Sequence, residues 1–221
     1  MAINTKSSIG RKVLMSLSAL FLLFFLFQHF LINVTSVFSP DLFNELSHFM
    51  GTNPLVQFAL QPVLIFGVVF HFVMGFVLEI QNKKARGVNY ASYNGGANAS
   101  WASRNMLISG AVILAFLGLH FYDFWIPEIA HKYIHFAPED PNRYFGELQH
   151  KFTDIIRVVL YSLSFVLLAL HLNHGFQSAF QSVGFNDKKY TPALKKIGKW
   201  YSILIPLGFV FIAIFHYINQ L

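Results

Sequence analysis

Five long apolar stretches, separated by shorter and more polar ones, form the main pattern of this 221-residue chain. Each is longer than the ~20 residues that a helix needs to cross a bilayer. Because lipid cannot hydrogen-bond to the backbone, each stretch is predicted to form a transmembrane helix. The pattern therefore predicts an all-α integral membrane bundle, a single domain over residues 1–221, with spans at 13–38, 55–80, 105–127, 154–182 and 197–219.

The first stretch also follows the basic residues that a signal peptide would have at its start. Its apolar run is too long for the core of a signal peptide, and no small-residue cleavage site follows it. We therefore interpret this stretch as a retained transmembrane helix, which belongs to the bundle with the other four.

The composition supports a membrane protein and restricts its cofactors. Hydrophobic residues make up 55% of the chain and charged residues only 12%, whereas about a quarter of a soluble domain is charged. The absence of cysteine excludes disulfides, cysteine-ligated iron–sulfur clusters and attached c-type haem, so a metal would need histidine or carboxylate ligands. The net charge of +6 does not indicate nucleic acid, because the basic residues lie beside the helix ends.

The polar segments that connect the spans differ in their basic residues, which predicts the orientation of the helices. Three segments are strongly basic and are assigned to the cytoplasmic side. Their basic residues are Lys6, Arg11, Lys12, Lys83, Lys84, Arg86, Arg104, Lys188, Lys189, Lys195, Lys196 and Lys199. The opposite segments, 39–54 and 128–153, hold only Lys132, Arg143 and Lys151. The N-terminus is therefore predicted to be cytoplasmic and the C-terminus outside.

Four histidines lie deep in four of the predicted helices, where ionisable side chains are costly and usually functional. Because successive helices run in opposite directions, His29 and His120 are predicted at one depth, toward the outer face. By the same reasoning His71 and His171 lie toward the cytoplasmic face, roughly 15–20 Å from the first pair. Neutral imidazole is a common axial ligand of haem iron. The two pairs therefore predict two bis-histidine sites for haem b, stacked across the membrane.

A short internal repeat, H-x-x-x-G-F, begins at His71 and again at His171. Gly75 and Gly175 stand one turn after these histidines, on the same helix face. The missing side chain leaves room for a flat macrocycle beside the imidazole. His174 is an alternative ligand because it lies on a similar face, but the register of the repeat favours His171.

Several motifs follow one another in an order that resembles a known family. They are Ala19 to His29 in the first helix, His71-x-x-x-Gly75 in the second, Ser100 to Gly110 and Leu117-Gly-Leu-His120-Phe-Tyr122 in the third, and His171-x-x-x-Gly175 with Gly184 in the fourth. Together they resemble the cytochrome b membrane-anchor subunit of succinate dehydrogenase and fumarate reductase, in its five-helix, two-haem form. The resemblance covers nearly the whole chain and depends on the order and spacing of the motifs.

The resemblance implies a role that the composition does not show. Members of this family are multi-pass proteins of the bacterial inner (cytoplasmic) membrane, and they hold a flavoprotein subunit and an iron–sulfur subunit on its cytoplasmic face. They carry electrons through two haem b groups between those subunits and a membrane quinone, usually menaquinone. The family pairs the first helix with the third and the second with the fourth. The succinate or fumarate chemistry then belongs to another subunit of respiratory complex II.

A quinone site needs polar groups near a haem, at the lipid boundary. Four residues on the outer side meet this requirement by position: Glu45, Gln57, Gln61 and Asp123. Asp123 lies one turn beyond His120, so it is also a candidate for a proton path or for a contact with the outer haem.

Two other functions stay open on the sequence alone. The chain is alternatively the cytochrome b anchor of another respiratory enzyme, such as a hydrogenase or a formate dehydrogenase. A haem-free, proton-coupled transporter would use the intramembrane histidines as proton relays, and it predicts a colourless protein. His216, near the end of the fifth helix and without a partner at its depth, is expected to lie at the membrane interface.

Overall fold

A computed structural model describes residues 7–85 and 105–220 of the chain. All regular structure in this part of the chain is helical, and five helices are long and apolar enough to cross a membrane. The predicted all-α fold class is therefore confirmed for the described residues. The membrane helices are α1 (Ser8–Phe38), α3 (Gln61–Ala85), α4 (Met106–His120), α6 (Ile155–Ser182) and α7 (Thr191–Ile218), and the shorter helices are α2 (Pro40–Thr52) and α5 (Arg143–Lys151).

Some boundaries differ from those predicted from the sequence. The apolar second helix begins at Val56 with a π-helical turn that leads into α3, and the fifth begins at Thr191 instead of at 197. Lys6, Arg86 and the predicted entry into the third helix up to Arg104 lie outside the described residues.

The third membrane helix is the one that departs most from its predicted span. It continues past α4 to Ile134, through π-helical turns at Phe121–Trp125 and Ala130–Ile134. The helix is therefore seven residues longer at this end than the predicted span. Pro127 follows the π-helical turn Phe121–Trp125 and does not end the helix.

The segments 39–54 and 128–153, which we interpreted as connections, contain the helices α2 and α5. Ser39 caps α2 by accepting a hydrogen bond from the backbone N–H of Leu42 at 3.2 Å, and Pro40 follows at a position that suits proline. The backbone N–H of Phe145 in α5 donates to Asn44 Oδ1 in α2 at 2.8 Å. These two helices pack against each other over one end of the bundle, which we call the capped end.

The opposite end of the bundle carries the end of α3, the start of α7 and the segment between α6 and α7. Because the membrane helices alternate in direction, these parts meet at the same end as the start of α1. The described basic residues there include Lys83, Lys84, Lys188, Lys189, Lys195, Lys196 and Lys199, all exposed. We call this the lysine-rich end.

The best-buried part of the bundle lies between α6 and α7 and beneath the capped end. These two helices pack along their length, and α1 packs against both. The buried cluster includes Phe43, Leu148, Phe152, Tyr161, Phe165, Phe209, Ile212 and Ala213. The fifth membrane helix therefore supports one side of the bundle formed by the other four.

Gly208 on α7 allows the close approach of α1. A Cβ atom at this position would lie 2.3 Å from Phe30 Cε2 and 2.6 Å from Phe30 Cζ. Since such overlap forces side chains or helices apart, we expect Gly208→Ala to destabilise the protein by about 1–3 kcal/mol. The measurement is the apparent unfolding temperature in detergent. Gly146→Ala is the control, because no heavy atom of the described residues beyond its own helix lies within 4 Å of that Cβ; equal stability of the two variants would contradict the prediction.

Candidate functional site

The structure brings four of the predicted site histidines together as two pairs. The rings of His29 on α1 and His120 on α4 have centroids 5.8 Å apart, at an interplanar angle of 82°. The rings of His71 on α3 and His171 on α6 have centroids 6.5 Å apart, at 68°. These are the same partners that the helix depths predict, so each pair joins two separate membrane helices.

The helices of each pair lie across the bundle from one another. The close packing contacts are between α1 and α3, between α4 and α6, and between α1 and α6. The histidine pairs instead connect α1 with α4 and α3 with α6. Each pair therefore meets in the interior, between four helices, and not at a direct helix–helix seam.

The two pairs lie at different levels of the bundle. Ser18 on α1 contacts His71, whereas His29 lies 11 residues further along the same helix. At 1.5 Å per residue this spacing is ~16 Å. Ser109 and His120 on α4 have the same spacing. We call His29 and His120 the capped-end pair, and His71 and His171 the lysine-end pair.

The spacing of each pair fits a metal ion held by both imidazoles. An imidazole nitrogen lies ~2 Å from a transition metal that it binds, so two axial imidazoles of one metal have centroids roughly 6 Å apart. The observed 5.8 and 6.5 Å lie on either side of this value. Histidine is an established axial ligand of haem iron, so the residues present fit a haem in each position.

Aromatic rings hold the capped-end pair in place. Phe25 stacks on His29 with centroids 5.5 Å apart, one turn before it on the same helix. Phe116 stacks on His120 in the same way at 5.9 Å. These stacks restrict the rotation of the two imidazole rings, as expected of preorganised ligands.

Two serines that the sequence analysis did not single out contact the lysine-end pair. Ser18 Oγ lies 3.1 Å from His71 Nδ1, and Ser109 Oγ lies 3.1 Å from His171 Nδ1. Each serine comes from the helix packed beside that of its histidine. Serines inside apolar stretches carry little signal by themselves, because many of them only bond to their own helix.

A longer internal repeat would have identified these serines. The pattern M-x2-S-x4-L-x-F-L-x2-H-F begins at Met15 in α1 and again at Met106 in α4, with every matching position 91 residues apart. The H-x-x-x-G-F repeat relates α3 to α6 in the same way. We interpret the four helices that carry the histidines as two copies of one two-helix unit.

The repeat also explains what lies beside the two glycines of the H-x-x-x-G-F pattern. A Cβ atom at Gly75 would lie 3.7 Å from Met15 Cε, and one at Gly175 would lie 3.4 Å from Met106 Cε. The space that we predicted for a macrocycle is thus bordered by the end of a flexible methionine in both copies. Such a side chain can move aside for a ligand at low cost.

Two further histidines have other partners. His174, the alternative ligand, forms a hydrogen bond of 3.2 Å with Ser178 on its own helix, and it is His171 whose ring meets His71. His216 is fully buried, and its Nε2 lies 2.8 Å from Ser36 Oγ. His216 therefore faces the interior of the bundle, where α7 packs against α1.

Asp123 is the centre of a buried charge cluster next to the capped-end pair. Only 1% of the residue is exposed, and Tyr161 donates a hydrogen bond to its Oδ2 at 2.9 Å. Arg157 Nε lies 2.9 Å from the same oxygen, and Lys151 Nζ lies 3.9 Å from Oδ1. The Tyr161 ring is 6.3 Å from that of His120. The cluster therefore joins the third membrane helix, one turn beyond His120, to the start of α6.

The residues predicted to bind quinone do not share one environment in the structure. Asp123 does not face the lipid boundary, because its carboxylate is paired inside the bundle. Glu45 is exposed on α2, and Gln61 is half-buried at the start of α3. The sequence analysis missed Arg157, which pairs with Asp123. A single basic residue near the end of a membrane helix is usually interpreted as a residue of the membrane interface.

Gln57 lines a polar cavity of about 270 Å3 at the capped end. The hydroxyl of Tyr133 donates a hydrogen bond to Gln57 Oε1 at 2.7 Å. The wall comes from α2, from the π-helical turns Val56–Leu60 and Ala130–Ile134 and from the segment that includes α5. It includes His48, Thr52, His131, Lys132, Arg143 and Tyr144. Of the four predicted quinone residues, Gln57 alone is part of this wall.

An ion-pair network holds the wall of the cavity together. Glu128 pairs with Lys132 at 2.5 Å and with Arg143, which also pairs with Glu147 at 2.7 Å. Lys132 donates to the backbone carbonyl of Gly51 in α2. Burial and the nearby charge of Glu128 raise the pKa of Tyr144 to about 12, so its hydroxyl stays protonated at neutral pH.

Comparisons of the chain with protein-family models, with curated protein sequences and with solved structures found no match. The assignment of a function therefore depends on the paired histidines and on the repeat that positions them. The resemblance of the motifs to the di-haem anchor subunits stays a hypothesis about this chain.

Proposed function

We propose that the chain is a di-haem cytochrome b, the membrane anchor of a succinate:quinone oxidoreductase. One observation carries this proposal. Four histidines from four membrane helices meet as two pairs across the bundle, at the spacing of two axial ligands and at two levels ~16 Å apart. A transporter with histidine proton relays has no need for two imidazole pairs at this spacing.

The residues of the chain have separate tasks in this proposal. His29 and His120 hold the haem at the capped end, and His71 and His171 hold the one at the lysine-rich end. When bound, each haem b supplies a one-electron carrier. The stacked Phe25 and the apolar helix surfaces keep water from the ligands, and the two levels make a path across the membrane.

The lysine-rich end is the proposed docking surface for a flavoprotein subunit and an iron–sulfur subunit. Its exposed lysines favour an acidic partner through charge complementarity, and they are also the residues from which we predict that this end is cytoplasmic. The orientation that follows puts the N-terminus inside and the C-terminus outside.

The identity of the partners is tested by purifying the chain from its own membranes and analysing what accompanies it. We expect a flavin-containing subunit that oxidises succinate or reduces fumarate. A partner with hydrogenase or formate dehydrogenase activity, with two haems still bound to the chain, would contradict the succinate assignment. It would support the second cytochrome b hypothesis.

The polar cavity at the capped end is the proposed site of menaquinone. It lies at the same end of the bundle as the capped-end pair, and Gln57 and Tyr133 offer hydrogen bonds to a quinone oxygen. A concave site with polar groups that fix the orientation of a ligand is typical of small-molecule binding.

Replacing these two residues should weaken the reaction with quinone. We expect Gln57→Ala with Tyr133→Phe to lower the quinone-dependent rate roughly thirtyfold, since each of the two lost hydrogen bonds is worth ~1 kcal/mol. The measurement is quinone reduction by the purified complex, at unchanged haem content. Tyr190→Phe, an exposed tyrosine at the lysine-rich end, is the control; an unchanged rate in the double variant would exclude this cavity.

A further inference from the structure

The lysine-end pair differs from the capped-end pair in its hydrogen bonds, and the difference concerns the Nδ1 atoms of its two histidines. Ser18 Oγ and Ser109 Oγ each lie 3.1 Å from the Nδ1 atom of a histidine, His71 and His171 respectively. The two contacts are equivalent positions of the internal repeat. They therefore recur because the two-helix unit recurs.

The direction of the proton in these contacts follows from the other bond of each serine. A serine hydroxyl has a single hydrogen to donate. Ser18 donates it to the Met15 carbonyl at 2.7 Å, and Ser109 donates it to the Met106 carbonyl at 3.0 Å. Only lone pairs of the two oxygens remain for the imidazoles. The histidine Nδ1 atoms must therefore be the donors.

A neutral imidazole has one N–H, so a proton on Nδ1 leaves Nε2 with a free lone pair. We propose that Ser18 and Ser109 are positioning residues that hold His71 and His171 in the Nδ1–H tautomer, with both Nε2 atoms available to one haem iron. The proposal rests on the proposed function, because it needs a haem at the lysine-end pair.

A hydrogen bond of this kind also affects the bound metal. A ligating histidine that donates its other N–H to an acceptor becomes more basic, and such partners of the ligands affect metal affinity and redox potential. A more basic ligand favours ferric iron over ferrous iron. The two serines therefore lower the potential of the haem at the lysine-end pair.

The capped-end pair has no equivalent contact among the described residues. His120 Nδ1 is buried without a hydrogen-bond partner there. The Asn33 amide donates to the backbone carbonyl of His29 at 2.8 Å, and it lies 3.4 Å from both ring nitrogens without selecting one. The serine effect is thus confined to one of the two sites, which makes it separable in an experiment.

The test is a spectroscopic redox titration of the complex that carries Ser18→Ala, Ser109→Ala or both. We expect the potential of one haem to rise in each single variant, to rise further in the double variant, and to stay unchanged for the other haem. The affected haem should be the one that His71→Ala removes. Haem affinity at this site should fall roughly 10- to 100-fold in the double variant, as for other lost hydrogen bonds to metal ligands.

Two controls separate positioning from general damage. Ser18→Thr with Ser109→Thr keeps a hydroxyl at each site and should restore both the potential and the haem content. Ser178→Ala removes the hydrogen-bond partner of the unpaired His174 and should leave both potentials unchanged. Unchanged potentials in Ser18→Ala with Ser109→Ala, at two haems per chain, would overturn this inference alone. A wild-type protein without haem would overturn the proposed function itself.

Discussion

His171→Ala is expected to reduce the haem b content from two per chain to one, whereas His174→Ala keeps both. The reason is geometric, because His171 meets the ring of His71 across the bundle and His174 bonds to Ser178 on its own helix. The two histidines lie one turn apart on α6, so they form a matched pair of variants. The measurement is haem quantitation with a reduced-minus-oxidised spectrum.

His120→Ala should remove the other haem, with a spectrum complementary to that of His171→Ala. Each haem loses one of its two axial ligands in the respective variant, and the ~16 Å between levels keeps the second site intact. Loss of both haems in both variants, despite a folded helical bundle, would contradict two independent sites. Loss of a haem in His174→Ala would show that His174 is an axial ligand.

Arg157→Leu is expected to destabilise the protein strongly. It leaves the carboxylate of Asp123, which is almost fully buried, without its closest cation. Breaking a buried ion pair by removing one partner costs about 3–5 kcal/mol. The measurement is the apparent unfolding temperature in detergent, followed by circular dichroism.

The double variant Asp123→Leu with Arg157→Leu is the comparison that identifies the cause. Replacing both charges by apolar side chains removes the unpaired charge, so most of the lost stability should return. Tyr161→Phe, which removes only the hydrogen bond to Asp123, should cost about 1 kcal/mol. If the single Arg157→Leu variant unfolds at the wild-type temperature, the pair contributes nothing to the fold.

The membrane helices could be predicted because their signal is long and strong. A run of more than 20 apolar residues has few other structures open to it in lipid. Since consecutive helices that each cross the bilayer must alternate in direction, the depth of each histidine and therefore its partner also follow from the sequence. The distance between the rings does not follow, because it depends on how four helices pack around a shared interior.

The structure of the capped end could not be predicted in this way. The helices α2 and α5 are short and amphipathic, so they contain no long apolar stretch that would predict them. Their capping signal, Ser39 followed by Pro40, is local and easily assigned to a turn. The extension of the third helix past Pro127 depends on π-helical turns, which leave no clear sequence pattern.

The polar partners inside the bundle were the hardest to predict. A buried Asp123 and an interfacial aspartate look alike in sequence, because both stand near the end of an apolar stretch. What distinguishes them is Arg157, which lies 34 residues away and reaches the carboxylate only in the folded bundle. The serines of the lysine-end pair were also hidden, although comparison of the chain with itself at an offset of 91 residues aligns them.

The most direct test of the di-haem proposal is the number of haem b groups in the purified wild-type protein. A haemochrome assay against protein concentration gives this number without any variant. We predict two haem b groups per chain, with the absorption bands of low-spin, bis-histidine iron. A colourless protein, or one with a single haem per chain, would contradict the proposal that both histidine pairs are haem sites.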